Sequence, residues 1–244
     1  MAADRCPPRA VLLDALGTLV GIEPPWQRLV DLLEQRHGIR ITLEQAVPAL
    51  VAEMDHYRRN CQRAHDAASL ATLRDECSGV LADALGGRVI ELERSSLTRT
   101  LLDVLGFAAY PDAAGALRGL RERGVRLVVL SNWDISLHDV LGACGLAELV
   151  DGVICSAEQG VAKPAPEIFR AALRLAGVPA ELALHVGDSY AEDVLGARSA
   201  GIEPILIVRA PGDGGLLSSH EQHPPGDVRT IESLGELAGL PNLR

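Results

Sequence analysis

Hydrophobic and polar positions divide this chain into stretches of different period. The first is short. Ala10 to Leu13 is continuously apolar, as a strand buried on both faces is, and the run breaks at Asp14 ahead of the turn residues Gly17 and Thr18. After Gly21 to Pro25 the period becomes helical. Trp26, Leu29, Val30, Leu32 and Leu33 form a stripe closed by His37 and Gly38, and Leu43 to Tyr57 continues the pattern with Pro48 near its start. Ala67 to Leu85 repeats it until Gly86 and Gly87, and a further helix is predicted over Ser95 to Leu105. Residues from about 22 to 106 therefore read as all-helical.

From Tyr110 strands and helices alternate. A helix is predicted over Ala113 to Arg123, stopped by Gly124, and then a β-rich run from Val125 to Leu130 that ends at Ser131 and Asn132. A helix near Leu137 to Cys144, a short strand near Gly152 to Cys155 and a loop from Ala157 to Pro166 follow, the loop carrying Lys163. The helix Glu167 to Ala176 leads to a third apolar run, LALHVGDS, which breaks at Asp188; a helix to Ala200 and a last strand, Ile205 to Val208, complete the series. Pro211 to Pro225 reads as a loop, and a short helix is predicted near Ile231 to Ala238. Such alternation implies a parallel sheet with right-handed crossovers. The helical block lies between the first strand and the rest, so it is an insertion.

The expected architecture is α/β: a Rossmann-like parallel sheet with helices on both faces and an inserted all-helical cap. Its expected boundaries are residues 1–20 and 107–244 for the core and 21–106 for the cap. Length allows this, since 244 residues can bury one core plus a smaller satellite. The aromatic share of 3% points to a core of Leu, Val and Ala. A net charge of −10 without a basic patch argues against a nucleic-acid partner. Five cysteines without a CxxC pair fit reduced thiols, and neither an apolar signal core nor a membrane-length apolar run is present. A cytoplasmic location is the expectation; oligomeric state is not legible.

The chemistry gathers where strands stop. Asp14, Ser131, Lys163 and Asp188 each end an apolar run or occupy the loop after one, so a parallel sheet brings them to one edge, where open α/β sheets bind ligands. Asp14 and Asp188, with Asp193 in the following helix, form a hard oxygen set suited to Mg²⁺. Helix capping is the competing explanation for Asp188 and Asp193, and turn formation for Ser131 and Asn132. Lys163 is the only lysine of the chain, set between Gly160 and the prolines Pro164 and Pro166. It is either an exposed loop cation or a charge placed to neutralise an aspartate and a phosphoryl group.

Four segments, DALGTL from Asp14, SN at Ser131, KPAPEIF from Lys163 and GDSYAED from Gly187, resemble in order the motifs of the haloacid dehalogenase-like hydrolase superfamily. The likeness extends to YPDAAGALRGLRERG from Tyr110 and GARSAG from Gly196, and so covers the core and, by position, the insert. It implies a helical cap of the subfamily I type and a covalent intermediate on Asp14. By that resemblance Asp14 is the nucleophile, Ser131 the phosphate-binding hydroxyl and Lys163 the stabilising cation. Thr18 and Asn132 join Ser131 and Lys163 in contacting substrate. Asp14, Asp188, Asp193 and the backbone carbonyl of Leu16 serve the metal, with Asp193 orienting its waters. The implied activity is Mg²⁺-dependent hydrolysis of a small phosphorylated metabolite.

Leu16 departs from that pattern, because phosphatases of the family usually carry a second aspartate there as general acid and base. Leucine cannot transfer a proton, a contribution of about 10²- to 10⁴-fold. The cap segment Glu53 to His65 holds His56, Tyr57, Arg58, Arg59 and His65, and the first, second and last of these are candidates to replace the missing acid. The dehalogenase branch also lacks an acid at this point, which makes 2-haloacid hydrolysis the alternative. It does not keep a metal-binding acid at the place of Asp188, and this chain does. A catalytically weak binding or regulatory protein is the remaining reading.

Overall fold

The computed structural model describes residues 7–209 and 226–239. The expected loop over Pro211 to Pro225 lies outside them. In chain order the elements are β1 (Ala10–Leu13), β2 (Val20–Ile22), α1 (Pro25–His37), α2 (Leu43–Asn60), α3 (Ala67–Leu85), α4 (Arg94–Val104), β3 (Phe107–Ala109), α5 (Ala113–Glu122) and β4 (Arg126–Ser131). Then come α6 (Leu137–Ala143), β5 (Gly152–Cys155), α7 (Ser156–Gln159), α8 (Pro166–Ala176), β6 (Ala183–Gly187), α9 (Leu195–Ser199), β7 (Glu203–Ile207) and β8 (Arg229–Ile231).

Six strands form one sheet in the order β5-β4-β1-β6-β7-β8, and every pairing in it is parallel. Successive residues along β1 feed opposite faces. Val11 and Leu13 pack with Leu127 and Val129 of β4 against α5 and α6, whereas Ala10 and Leu12 pack with Val128 and Leu130 against Ile168, Phe169 and Ala172 of α8. Burial on both faces is why these strands read as unbroken apolar runs rather than as alternations. The fold is a Rossmann-like α/β sheet covered by helices on both faces.

After β1 the chain builds β4 and β5 on one side, then returns to build β6, β7 and β8 on the other. The strand order thus reverses beside β1, and the crevice at such a switch point is where open sheets place ligands. Between β1 and β4, α1 to α4 bury Leu29, Leu33, Leu50, Leu73, Leu81, Leu97 and Leu101 in a cluster of their own. Local chemistry sets these helices. Thr42 and Gln45 form a capping box at the start of α2, Asp66 accepts from the Ser69 amide to cap α3, and Gly38 closes α1 with φ 62°.

Two features differ from the sequence expectation. The entry and exit of the helical insert are tied by an antiparallel ribbon, β2 with β3, where Val20 opposes Ala109 and Ile22 opposes Phe107. Three-residue strands are too short to show a period. Near the C-terminus, Arg229–Ile231 is a parallel edge strand beside β7, and only Leu234–Gly239 turns into a short 3-10 helix. Ile231 is buried there, so its apolar character served a sheet edge rather than a helix face.

Candidate active site

Asp14 leaves β1 with its backbone still in the sheet, its amide donating to the Val186 carbonyl at 2.9 Å. Its carboxylate therefore stands at the sheet edge. Oδ1 accepts from the Ser131 hydroxyl at 2.8 Å and from Lys163 Nζ at 2.7 Å, and among the described residues Oδ2 takes part in neither contact. Ser131 ends β4, the neighbour of β1. Lys163 comes from the loop before α8, and that loop is stapled to the β4 edge by Asn132. Asn132 Nδ2 donates to the Lys163 carbonyl at 3.0 Å, and the Lys163 amide donates to Asn132 Oδ1 at 2.8 Å. Asn132 Nδ2 also donates to Glu192 Oε2 at 2.9 Å.

The Lys163 ammonium is buried and also donates to Asp193 Oδ1 at 2.6 Å. His185, an imidazole inside β6, meets the same oxygen at 2.8 Å. Burial alone would raise the Asp193 carboxyl, yet Lys163 and His185 together hold it below the ordinary range, so it is ionised. An ionised carboxylate only accepts. His185 thus donates from Nε2, which leaves its buried Nδ1 without a partner. Burial would lower the Lys163 ammonium, but Asp14 and Asp193 raise it above its usual value. Asp14, sharing that single cation, is raised, first by burial and further by the charge of Asp193.

Oxygens of Asp14, Asp188 and Asp193 lie within 4.8 Å of one another. Two glycines make this possible. A Cβ on Gly17, whose φ is +79°, would stand 2.2 Å from Asp188 Oδ2, and one on Gly187 would stand 2.1 Å from Asp193 Cγ. Asp193 lies on a π-helical turn, Tyr190–Val194, where its own amide and that of Val194 both donate to the Ser189 carbonyl. The turn aims the carboxylate back, so that Oδ2 accepts from the Ser189 amide at 2.9 Å. The donor set fits a hard divalent cation. With Oδ1 committed to Lys163 and His185, Asp193 suits the waters of such an ion better than the ion itself.

A cavity of about 650 Å³ opens over this edge toward the helical insert. Asp14, Leu16, Ser131, Asn132, Lys163, Asp188, Ser189 and Glu192 line its core side. Thr18 does not line it. The tight turn from Ala15 to Val20 buries Thr18, leaves its hydroxyl unpartnered and exposes only its carbonyl to Arg209 Nη2. The expected substrate contact of Thr18 is thus absent from this geometry. Asn132 reaches the cavity, but its amide is occupied in fastening the Lys163 loop.

Of the three cap residues expected to replace an acid at Leu16, only Tyr57 lines the cavity. His56 lies 3.5 Å from Glu76, and His65 Nδ1 donates to the Arg63 carbonyl on the outer surface. Tyr57 donates to Asp134 Oδ2 at 2.9 Å, and burial, with Asp134 beside it, raises its phenol well above the usual value. Sequence reasoning passed over His185, Asp134, Glu192 and Glu53. Two of these left a signal: His185 interrupts an apolar strand, and Glu53 falls on the buried stripe of α2 with Ala46, Ala49, Leu50 and Met54.

This geometry can be set beside known proteins. A haloacid dehalogenase-like hydrolase family profile matches residues 8–201, most of the chain and all four edge segments. The chain belongs to the haloacid dehalogenase-like hydrolases. Human haloacid dehalogenase-like hydrolase domain-containing protein 3 is 30% identical over 211 residues, covering 84% of both chains. A phosphoserine phosphatase of Thermus thermophilus is 37% identical over 131 residues, which span 51% of this chain and 50% of that one. Among solved structures, L-2-haloacid dehalogenase from Xanthobacter autotrophicus superposes with a TM-score of 0.63 at 22% identity over 95% of this hydrolase and 97% of that chain. That likeness concerns the fold alone. Among the described residues of this hydrolase, no helix is long and apolar enough to cross a membrane.

Proposed function

We propose that this hydrolase is a Mg²⁺-dependent phosphatase of small phosphorylated metabolites, working through an aspartyl-phosphate on Asp14. The observation that carries the reading is the two-sided Asp14 carboxylate. Ser131 and Lys163 hold Oδ1, and Oδ2 is left as the nucleophile, with Asp188 and Asp193 close by. Oδ2 attacks phosphorus in line, a P–O bond forms to Asp14, and the bond to the leaving oxygen breaks with its electron pair. Water then cleaves the acyl phosphate, releasing inorganic phosphate and restoring the carboxylate. Lys163 has three N–H donors and spends two on Asp14 and Asp193, so the third serves a phosphoryl oxygen. Ser131 has one proton, already on Asp14 Oδ1, and must turn its hydroxyl to meet the phosphoryl group. Mg²⁺ held by Asp14, Asp188 and the Leu16 carbonyl would offset phosphate charge.

One observation favours 2-haloacid hydrolysis instead: Leu16 lines the cavity where a proton donor to the leaving group is expected. Phosphate and halide release separate the two. Asp14-dependent phosphate release from a panel of esters, abolished by EDTA and restored by Mg²⁺, supports the phosphatase. Metal-independent chloride release from chloroacids, without phosphate release, replaces it by the dehalogenase. The absence of both products, with retained ligand binding, supports a regulatory protein.

A further inference from the structure

The cap side of the cavity contains a single acid. Among the cavity-lining residues contributed by α1 to α4 and the turn after α2, Glu53 alone carries a carboxylate, while Arg58, Gln62, Arg74 and Thr98 supply donors. Glu53 is 2% exposed on the buried stripe of α2. Its neighbour across the helix pair is the Cys77 thiol of α3, a weak donor, and its Oε2 has no hydrogen-bond partner. A glutamine or methionine would fill the same space without a buried charge, so packing does not account for an acid here. The cavity that it lines is the side from which a partner can reach it.

Its place along α2 says which part of a substrate it meets. Tyr57, four residues on and one turn closer to the core, reaches Asp134. Beyond Tyr57 the Ala64 carbonyl accepts from the Ile135 amide, so the C-terminal end of α2 is the end nearest the core. Glu53 thus stands about 6 Å farther along the same face. An ester bound at Asp14 extends its organic part into the cavity that Glu53 also lines.

We propose that Glu53 is the specificity residue of the cap, accepting a hydrogen bond from an amine or hydroxyl group on the organic part of a small phosphate ester. The inference rests on the phosphatase reading for the position of the phosphate. Donors are already plentiful on this wall, and the unsatisfied Oε2 is the acceptor that a donor-bearing substrate completes.

Three esters of matched length test it: phosphoethanolamine, hydroxyethyl phosphate and propyl phosphate, compared by kcat/KM in wild type, Glu53→Gln and Glu53→Met. Wild type is expected to favour at least one donor-bearing ester over propyl phosphate by about tenfold or more. Glu53→Met brings that ratio close to one. Glu53→Gln separates the two donors: an amine preference falls with the lost charge, and a hydroxyl preference survives on the amide carbonyl. A merely structural role lowers all three substrates together and leaves the ratios unchanged, which overturns the proposal, as does a wild-type ratio near one. If no ester is hydrolysed, the phosphatase reading fails and saturation-transfer NMR of ethanolamine, ethylene glycol and propanol decides. Glu53-dependent enrichment of a donor-bearing probe supports the inference, and equal signals in wild type and Glu53→Met overturn it.

Discussion

Replacing Glu53 by glutamine is expected to stabilise the protein in a pH-dependent way. Burial in the seam between α2 and α3 lifts this carboxyl from the ordinary 4.5 to about 7, against a small opposing pull from the Cys77 thiol. The folded-state value lies above the unfolded one, so as pH rises the unfolded chain releases the Glu53 proton first. The folded state therefore loses relative stability between 4.5 and about 7, and the loss is complete and constant above that window. At about 1.36 kcal/mol per pH unit its full size is about 3 kcal/mol, most of which develops between about pH 5 and about pH 8. Cys77 is itself raised by burial and stays protonated throughout, so it adds no slope. Urea unfolding of wild type and Glu53→Gln in metal-free buffer measures the effect, because subtracting the two curves cancels every group they share. The variant should gain about 2 to 3 kcal/mol on wild type across the window, whatever fixed offset the amide introduces. A difference that stays flat with pH would refute the buried, unpartnered state of this acid.

Leu16→Asp restores a proton donor beside the nucleophile. It should raise turnover of alkyl phosphates toward the 10²- to 10⁴-fold worth of a positioned acid, with a much smaller gain on aryl phosphates; equal gains in steady-state kinetics count against the missing-acid account. Glu192 lines the core side of the cavity, and burial raises its carboxyl despite the pull of Lys163. Glu192→Gln is accordingly expected to slow alkyl esters more than aryl esters, a loss that Leu16→Asp should rescue in the double variant. Gly17→Ala pushes a methyl onto Asp188 Oδ2 at a position with φ +79°. It should weaken Mg²⁺ activation about 10- to 100-fold in a metal titration while Asp14 reactivity at saturating metal persists, and an unchanged activation constant would remove Asp188 from the metal site.

The core was legible because its physics is local and repetitive. Strands buried on both faces must be largely apolar, so Val11–Leu13 and Leu127–Leu130 stood out, as did Leu184 and Val186 around His185, and Asp14, Ser131 and Asp188, which end those runs, are the residues that meet at the edge. What the period could not reveal was any element too short to repeat, such as β2 with β3 or β8, and any side chain whose role depends on a partner distant in sequence. Thr18 shows the second limit. Its motif position suggested the cavity, but the cation of Arg209, 191 residues away, binds its carbonyl on the inner side of the turn. His56 and His65 show it again: helical spacing says which residues share a face, and only the packed structure says that the face of Tyr57 and Glu53 is the one turned inward.

The proton that Leu16 cannot supply brings these limits to the chemistry itself. Tyr57 reaches the core at Asp134, but its phenol is raised by burial and already donates to that carboxylate, so releasing its proton would leave a phenolate beside it. Glu53 can hold a proton near neutrality, yet it lies a helical turn beyond Tyr57. Glu192 shares the core side with Asp14 and Asp188, and burial raises its carboxyl, so it combines position with an increased hold on a proton. Its hydrogen bond from Asn132, the side chain that also fastens the Lys163 loop, ties it to the same scaffold as the cation. If Glu192 supplies the proton, proton transfer and charge stabilisation both depend on Asn132, a residue whose type alone suggests no more than a turn.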